Sequence, residues 1–282
     1  MLQQFREHIN THLSFLNGKK LLIALSGGLD SIVLSHLLHQ LQFSMEFAHC
    51  NFKLRGVESD EDEAFVTEFS SGLNVKIHVQ HFNPKTYSEI HKVSIQMAAR
   101  TLRYQWFASL AEALKCDYIL TAHHADDALE TFLINFSRGT GLEGLTGIPE
   151  QNGNVIRPLL PFSKETILDY AEKNNLKWRE DSSNTETKSL RNKIRHEIIP
   201  QLRSLYPAFP ENVQKTLQHL QGSKQLIATH IKNCKETLFQ PEGNGYIISV
   251  AELMELRPQK PYLYELFKDF GFTEWDDVAH IQ

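Results

Sequence analysis

Leu21-Leu22-Ile23-Ala24-Leu25 runs straight into Ser26-Gly27-Gly28-Leu29-Asp30-Ser31, and a helical spacing starts at once with Leu29, Ile32, Val33 and Leu37. A strand that feeds a glycine turn that feeds a helix leaves few folds open. It also builds an anion site, because the first N–H groups of a helix have no intrahelical partner and glycines let a ligand come close. Ser26 and Ser31 add hydroxyl donors. The Gly-Lys-Ser/Thr of a Walker loop is missing, so this is a different phosphate loop. Asp30 is unusual beside phosphate, since a carboxylate repels phosphate unless a cation bridges the two. It therefore reads as a magnesium ligand, direct or through water. A serine-glycine turn that only caps a helix is the plainer alternative. The full hexapeptide in its strand–turn–helix setting favours the phosphate loop.

The alternation continues downstream. Strands are expected at about 20–25, 44–50, 75–81 and 117–122, and helices at about 29–42, 59–72, 88–115 and 126–138. A short helix precedes them over 1–18, Pro84 reads as opening a loop, and basic residues 189–202 read as a helix stopped by Pro200. Strands and helices in this order predict an α/β fold: a Rossmann-like parallel sheet with helices on both faces. Ligands of such sheets bind beyond the carboxyl ends of the strands. Ser26, His49 and His123 all lie at those ends and should converge on one crevice.

The 282 residues suit one large and one small domain. Pro207 and Pro210 mark the boundary, which predicts domains of 1–206 and 207–282. Val213, Leu217, Leu220, Ile227, Ile231 and Cys234 then share one helix face, so the second domain reads as smaller and mainly helical. The end, Trp275 to Gln282, stops inside what reads as another helix and suggests a chain that continues. Three scattered cysteines, Cys50, Cys116 and Cys234, fit a reducing cytoplasm better than a disulfide framework. No apolar run is long enough for a bilayer, and Met1 to Glu7 lacks the order of a signal peptide. A net charge of −5 excludes a uniformly basic coat but not a local one. Lys188, Arg191, Lys193, Arg195 and Arg203 supply such a run, while Glu58 and residues Asp60 to Glu63 supply an acidic one.

Three further groups carry chemistry. Thr121 to Thr131, with His123-His124-Ala125-Asp126-Asp127 and Glu130, starts at a strand end and enters a helix. Asp127 and Glu130 share a helix face. Carboxylates in a first turn can simply complement the helix dipole, and that accounts for one of Asp126 and Asp127. Two carboxylates with histidine at a crevice also suit an ammonium ligand, deprotonation of an amine, or a metal. Zinc is disfavoured, because the His-Glu-x-x-His register and any thiolate are absent. Arg100 and Arg103 lie one turn apart on the long helix, either pairing with the acidic helix or gripping an oxyanion. His49 closes the second strand and Asn51 opens the loop just past it, where an adenosine ribose or base often rests in this architecture. Arg138 to Gly147 is glycine-rich, either a connector or a loop that moves over the site.

Ser26 to Ser31 resembles the pyrophosphate loop of the N-type ATP pyrophosphatases, the PP-loop superfamily. Within it, residues of about 20–205 resemble the tRNA(Ile)-lysidine synthases. The likeness rests on His49-x-Asn51-x-x-Leu54-Arg55, Ala98-Ala99-Arg100-x-x-Arg103-Tyr104 and the His-His-x-Asp-Asp-x-x-Glu-Thr block. It continues through Arg138-Gly-Thr-Gly-Leu-x-Gly-Leu, Arg157-Pro158-Leu159-Leu160, Glu180 to Asn184 and Arg191-Asn192-x-Ile194-Arg195-His196. Cys50 and the short C-terminus depart from what the family usually carries.

The resemblance implies that ATP adenylates the C2 oxygen of the wobble cytidine in a CAU-anticodon tRNA(Ile). The ε-amine of free L-lysine then displaces AMP to give lysidine. It implies ATP on Ser26, Gly27, Gly28, Leu29, Asp30, Ser31, His49, Asn51, Arg191 and Arg195, with Mg2+ on Asp30. Lysine would take Arg100, Arg103, Asp127 and Glu130, and tRNA would take Lys188, Lys193 and the second domain. Asp30, His123, Asp127 and Glu130 would be the catalytic set. A homodimer is among the expected assemblies. Thiolation chemistry is one alternative, but the cysteines are not paired. An amidotransferase-type synthetase would need a glutaminase part, which is not visible. A non-catalytic nucleotide or RNA binder has no use for carboxylates near phosphate.

Overall fold

The computed structural model describes residues 1–180 and 190–272. In chain order, the first unit contains α1 (Leu2–His12), β1 (Lys20–Ala24), α2 (Leu29–Gln40), β2 (Ser44–Asn51), α3 (Val57–Gly72), β3 (Ile77–His81), α4 (Pro84–His91), α5 (Ile95–Leu114), β4 (Tyr118–Leu120) and α6 (Ala125–Ser137). There follow α7 (Leu142–Leu145), β5 (Gln151–Asn152), β6 (Val155–Ile156), α8 (Lys164–Lys173), α9 (Leu190–Lys193), a π-turn over Ile194–Ile198, and α10 (Ile199–Leu205). The chain continues with α11 (Phe209–Leu238), β7 (Phe239–Glu242), β8 (Gly245–Ile248), α12 (Val250–Glu255) and α13 (Gln259–Phe267). By internal contacts, one unit comprises 1–140 with 147–214, and the other 141–146 with 215–282.

In the first unit the strands lie in the order β3-β2-β1-β4-β6-β5. All neighbouring pairs are parallel except β5 with β6. Alternate residues of a strand face opposite sides, so the unbroken apolar run of β1 has to be buried on both. Leu21, Ile23 and Leu25 join Ile32, Leu34 and Leu37 of α2 and Ile167 of α8 in one core. Leu22, Ala48 and Ile119 join Phe107 and Ala111 of α5 in the other. The sheet is therefore covered by helices on both faces, as the strand–helix alternation predicts.

Two local expectations are corrected, and one pair of strands was not expected. Residues 84–115 form two helices, because Pro84 occupies a first-turn position where its missing N–H costs nothing and Lys92 adopts a left-handed conformation (φ 53°) between them. Pro200 begins α10 rather than ending a helix; the preceding π-turn absorbs the change of pitch. The two-residue strands β5 and β6 are too short to show any period, yet β6 extends the parallel sheet beside β4.

The second unit has its own core of Ile231, Leu238, Phe239, Leu253, Leu263 and Leu266. The expected amphipathic helix is α11, and an antiparallel hairpin, β7–β8, follows it. Within this unit the glycine-rich segment is not a bare connector: Leu142–Leu145 is helical, Lys224 pairs with Glu143 at 2.8 Å, and Gln221 donates to the Thr146 carbonyl at 3.2 Å. The expectation for Trp275 to Gln282 lies outside the described residues.

Candidate active site

The loop after β1 is shaped by its own serines. Ser31 Oγ accepts the N–H groups of Ser26 and Gly27, both at 3.2 Å, and donates to the Gly28 carbonyl at 2.9 Å. Ser31 is 4% exposed, so it organises the loop from within rather than facing a ligand. Gly27 takes φ +90°, and a Cβ there would stand 3.1 Å from Val66 Cγ1. Gly28 has an ordinary φ of −74° and caps α2, whose first N–H groups have no partner within the helix.

Asp30 lies in the first turn of α2, and its Oδ2 is 3.7 Å from His124 Nε2. His124 is 2% exposed and stands among three carboxylates: Nε2 is also 3.5 Å from Asp127, and Nδ1 is 3.5 Å from Asp126. Burial opposes the imidazolium, but Asp126, Asp127 and Asp30 together raise the His124 pKa. Burial raises the Asp30 pKa; His124 opposes it, and the Asp127 charge adds to it. Asp30 Oδ1 is buried with no hydrogen-bond partner, which fits a group that completes its shell on a bound cation. Among the described residues no three ligating side chains cluster as a metal cage. Such a cation would have to share Asp30 with ligand oxygens, as magnesium does with phosphates.

The adjacent carboxylates of α6 divide their work. Asp126 accepts the Lys164 N–H at 2.8 Å, tying α6 to α8. Burial works against its charge, yet His124 and that N–H bring its pKa down to about 2. Asp127 Oδ2 accepts the His124 N–H at 3.1 Å, and its Oδ1 meets Arg191 Nη2 at 3.2 Å. Burial opposes the Asp127 charge too, but His124 and Arg191 outweigh it and lower the pKa. Glu130 is 1% exposed and held by two guanidiniums: Arg195 Nε at 2.5 Å and Nη2 at 3.0 Å, and Arg191 Nε at 2.6 Å. The residues expected on phosphate and those expected on an ammonium thus form one ion-pair network, joining α6 to α9 and the π-turn.

His123 projects from the same strand end, with Nδ1 3.0 Å from Thr121 Oγ1. Burial, with Arg157, Arg191 and Arg100 nearby, lowers its pKa to about 4 against the pull of Asp127, so it is neutral at pH 7. On the other flank, His49 Nδ1 donates to the Leu25 carbonyl at 2.9 Å, and burial lowers the His49 pKa. The Asn51 side chain is used inside its loop: it donates to Glu63 at 2.7 Å and accepts the Lys53 N–H at 2.9 Å. Arg100 and Arg103 part company. Arg103 lies 5.2 Å from the Phe52 ring, whereas Arg100 lies 5.0 Å from the Tyr104 ring. The aromatic rings, rather than the acidic helix, are what these two guanidiniums pack on. Lys193 is on α9; Lys188 lies outside the described residues.

Sequence reasoning passed over Arg179 and Asp62. The Arg179 N–H bonds to the Gly27 carbonyl at 2.9 Å, and its Nε reaches Asp62 at 2.8 Å. Asp62 also takes Arg55 at 2.6 Å, so this buried member of the acidic run ties the segments of Arg55 and Arg179 to α3. No local period marks a partner more than a hundred residues away. A lone arginine before an acidic pair was the only sign.

A PP-loop domain model matches residues 1–202, and a TilS substrate binding domain model matches 240–282. A tRNA(Ile)-lysidine synthase of Porphyromonas gingivalis is 39% identical over all of this chain and 61% of its own length. One of Chlorobaculum tepidum is 38% identical over 83% of this chain and 72% of its own length. The chain belongs to the tRNA(Ile)-lysidine synthase family. A lysidine synthase of Bacteroides thetaiotaomicron is 37% identical over 65% of its length, so the chain spans less than two thirds of several of these relatives. Among solved structures, the U34-tRNA thiolase NcsA of Methanococcus maripaludis, with its [4Fe-4S] cluster, matches at TM-score 0.63 and 21% identity, covering 77% of this chain and 78% of that one. That likeness shows a shared fold. In this lysidine-synthase relative Cys50, Cys116 and Cys234 are unpaired, and burial pushes the Cys50 thiol up to about 12. The sulfur chemistry raised as an alternative is therefore not favoured. No helix among the described residues is long and apolar enough to cross a membrane.

Proposed function

We propose that this chain adenylates the wobble cytidine of a CAU-anticodon tRNA(Ile) with ATP and joins the ε-amine of lysine to C2, forming lysidine. The observation that carries this reading is the single network in which the phosphate-loop Asp30 and the carboxylates Asp127 and Glu130 meet through His124 and Arg191. A site that transfers an adenylyl group and then uses an amine needs anion binding and ammonium binding side by side. The C2 oxygen attacks the α-phosphorus of ATP and pyrophosphate leaves. The lysine nitrogen then attacks C2, and AMP departs with that oxygen.

The first N–H groups of α2 face the phosphates, and Asp30 would hold Mg2+ against them. That ion would offset charge growing on pyrophosphate. Adenosine would rest beside His49 and Asn51, and Arg100 or Arg103 would take the lysine carboxylate. Asp127 and Glu130 hold the ammonium, sharing charge with Arg191 and Arg195. A carboxylate with a lowered pKa is a poor base, so Asp127 serves mainly to orient the amine. The proton leaves to Asp127 or Glu130 as the nitrogen attacks, and His123, its pKa lowered to about 4, is neutral beside them. Lys188, Lys193 and the second unit are the proposed tRNA contacts, and the assembly is proposed as a homodimer.

The test is AMP release from ATP, measured with and without lysine and with CAU-anticodon tRNA. Release should require both, and Asp30→Ala should abolish it in a protein whose circular dichroism is unchanged. Turnover indifferent to lysine would defeat the reading.

A further inference from the structure

Helix α3 touches two loops of the nucleotide site, each through its own contacts. A Cβ at Gly27 would stand 3.1 Å from Val66 Cγ1 and 3.5 Å from Phe65, so α3 packs directly against the phosphate loop. The loop after β2 is held by the first turns of α3. Asn51 Nδ2 donates to the Ser59 carbonyl at 3.2 Å, and the Arg55 N–H donates to Ser59 Oγ at 3.2 Å.

Asp62 joins the two sets. It is 8% exposed, and each of its oxygens accepts from a different guanidinium. Oδ2 takes Arg55 Nη2 at 2.6 Å, and Oδ1 takes Arg179 Nε at 2.8 Å. Arg179 Nη2 also reaches Glu61 at 2.7 Å. With its side chain fixed on α3, Arg179 donates its backbone N–H to the Gly27 carbonyl at 2.9 Å. One buried carboxylate therefore holds both the loop after β2 and the segment bonded to the phosphate loop. Buried ion pairs add little net stability over apolar packing, so stability alone does not account for this one. Its two-sided geometry fixes a distance instead. ATP carries adenosine and phosphates on one short frame. In the reading above the adenosine rests beside His49 and Asn51, and the phosphates rest on the loop after β1. The nucleotide gains from both loops at once only when their separation is held. We infer that Asp62 is a positioning residue that fixes the separation of the two halves of the nucleotide site, so that intact ATP binds far better than its parts. This rests on ATP being the nucleotide and not on lysine being the amine.

The test compares the Kd of ATP with those of AMP and of pyrophosphate, each titrated calorimetrically in Mg2+ buffer without tRNA. The titration stoichiometry gives the folded fraction, so partial unfolding is separated from affinity. Asp62→Asn should weaken ATP about tenfold and leave AMP and pyrophosphate within about twofold, because the linkage is lost and not either contact. Asp62→Glu, which keeps the charge, should restore part of the ATP affinity. Arg179→Gln should act in the same direction, and the double variant should lose no more than Asp62→Asn alone, since both act through one contact. If Asp62→Asn cannot be folded, Arg179→Gln, whose side chain is 35% exposed, carries the same comparison. Equal weakening of all three ligands, weakening of one half alone, or an unchanged ATP affinity overturns the inference. A wild type that binds no ATP overturns the nucleotide reading as well, whereas turnover indifferent to lysine overturns only the amine reading.

Discussion

His123 and His124 are neighbours in the chain and are driven in opposite directions. His124 faces three carboxylates, which raise its pKa; His123 faces arginines, and burial with their charge lowers its pKa to about 4. The lowered group has a consequence for stability. Between pH 4 and the ordinary histidine value near 6.5, an unfolded chain binds the proton that folded His123 refuses. Its contribution is thus complete above about 6.5 and is lost as pH falls toward 4. His123→Gln removes this dependence. The stability difference between wild type and variant should shrink by about 2 kcal/mol from pH 7 to pH 4.5, measured by urea unfolding. A difference that stays constant with pH would mean that His123 is not held neutral by its surroundings. The pair was visible in the sequence, but nothing local told which imidazole would be charged.

At the level of elements, the two glycines of the β1–α2 loop serve different ends. Gly27 is required by the fold: a side chain would be strained at φ +90° and would press on Val66. Gly28 is not, since a Cβ there meets only ordinary contacts, the nearest being Ser26 Oγ at 3.5 Å. Gly27→Ala should therefore cost roughly 1–2 kcal/mol of stability, while Gly28→Ala should leave the melting temperature nearly unchanged. Gly28→Ala should instead weaken ATP binding, because an added methyl group occupies the approach to the helix N-terminus. Calorimetry for stability and ATP titration for binding separate the two. Equal melting losses would show that both glycines are conformational. The strand–turn–helix order was legible because its signals are local. The break between α4 and α5, and the start of α10 at Pro200, were not, because each depends on how a helix end packs.

For the whole molecule, the relevant quantity is charge. A chain of net charge −5 can bind tRNA only through a concentrated basic face, since phosphate contacts dominate such binding. Arg191 and Arg195 are already committed to Glu130 and Asp127, which leaves Lys188 and Lys193 as the backbone contacts proposed from that run. Replacing both lysines with glutamine should weaken tRNA binding about equally for cognate and non-cognate anticodons. It should also flatten the salt dependence by roughly one unit for each phosphate that is no longer neutralised. An unchanged slope in a salt titration would move the RNA backbone away from this run.

The sequence by itself determined the parallel α/β sheet, the phosphate loop and the carboxylates of α6, because hydrophobic period, glycine turns and motif spacing are local properties. Only the tertiary structure decided which charges neutralise one another. It placed Arg191 and Arg195 on Glu130, Arg179 and Arg55 on Asp62, and left the Nε of Arg157 buried without a partner. Those outcomes depend on distance and desolvation between residues far apart in the chain, and Coulomb energies follow space rather than sequence.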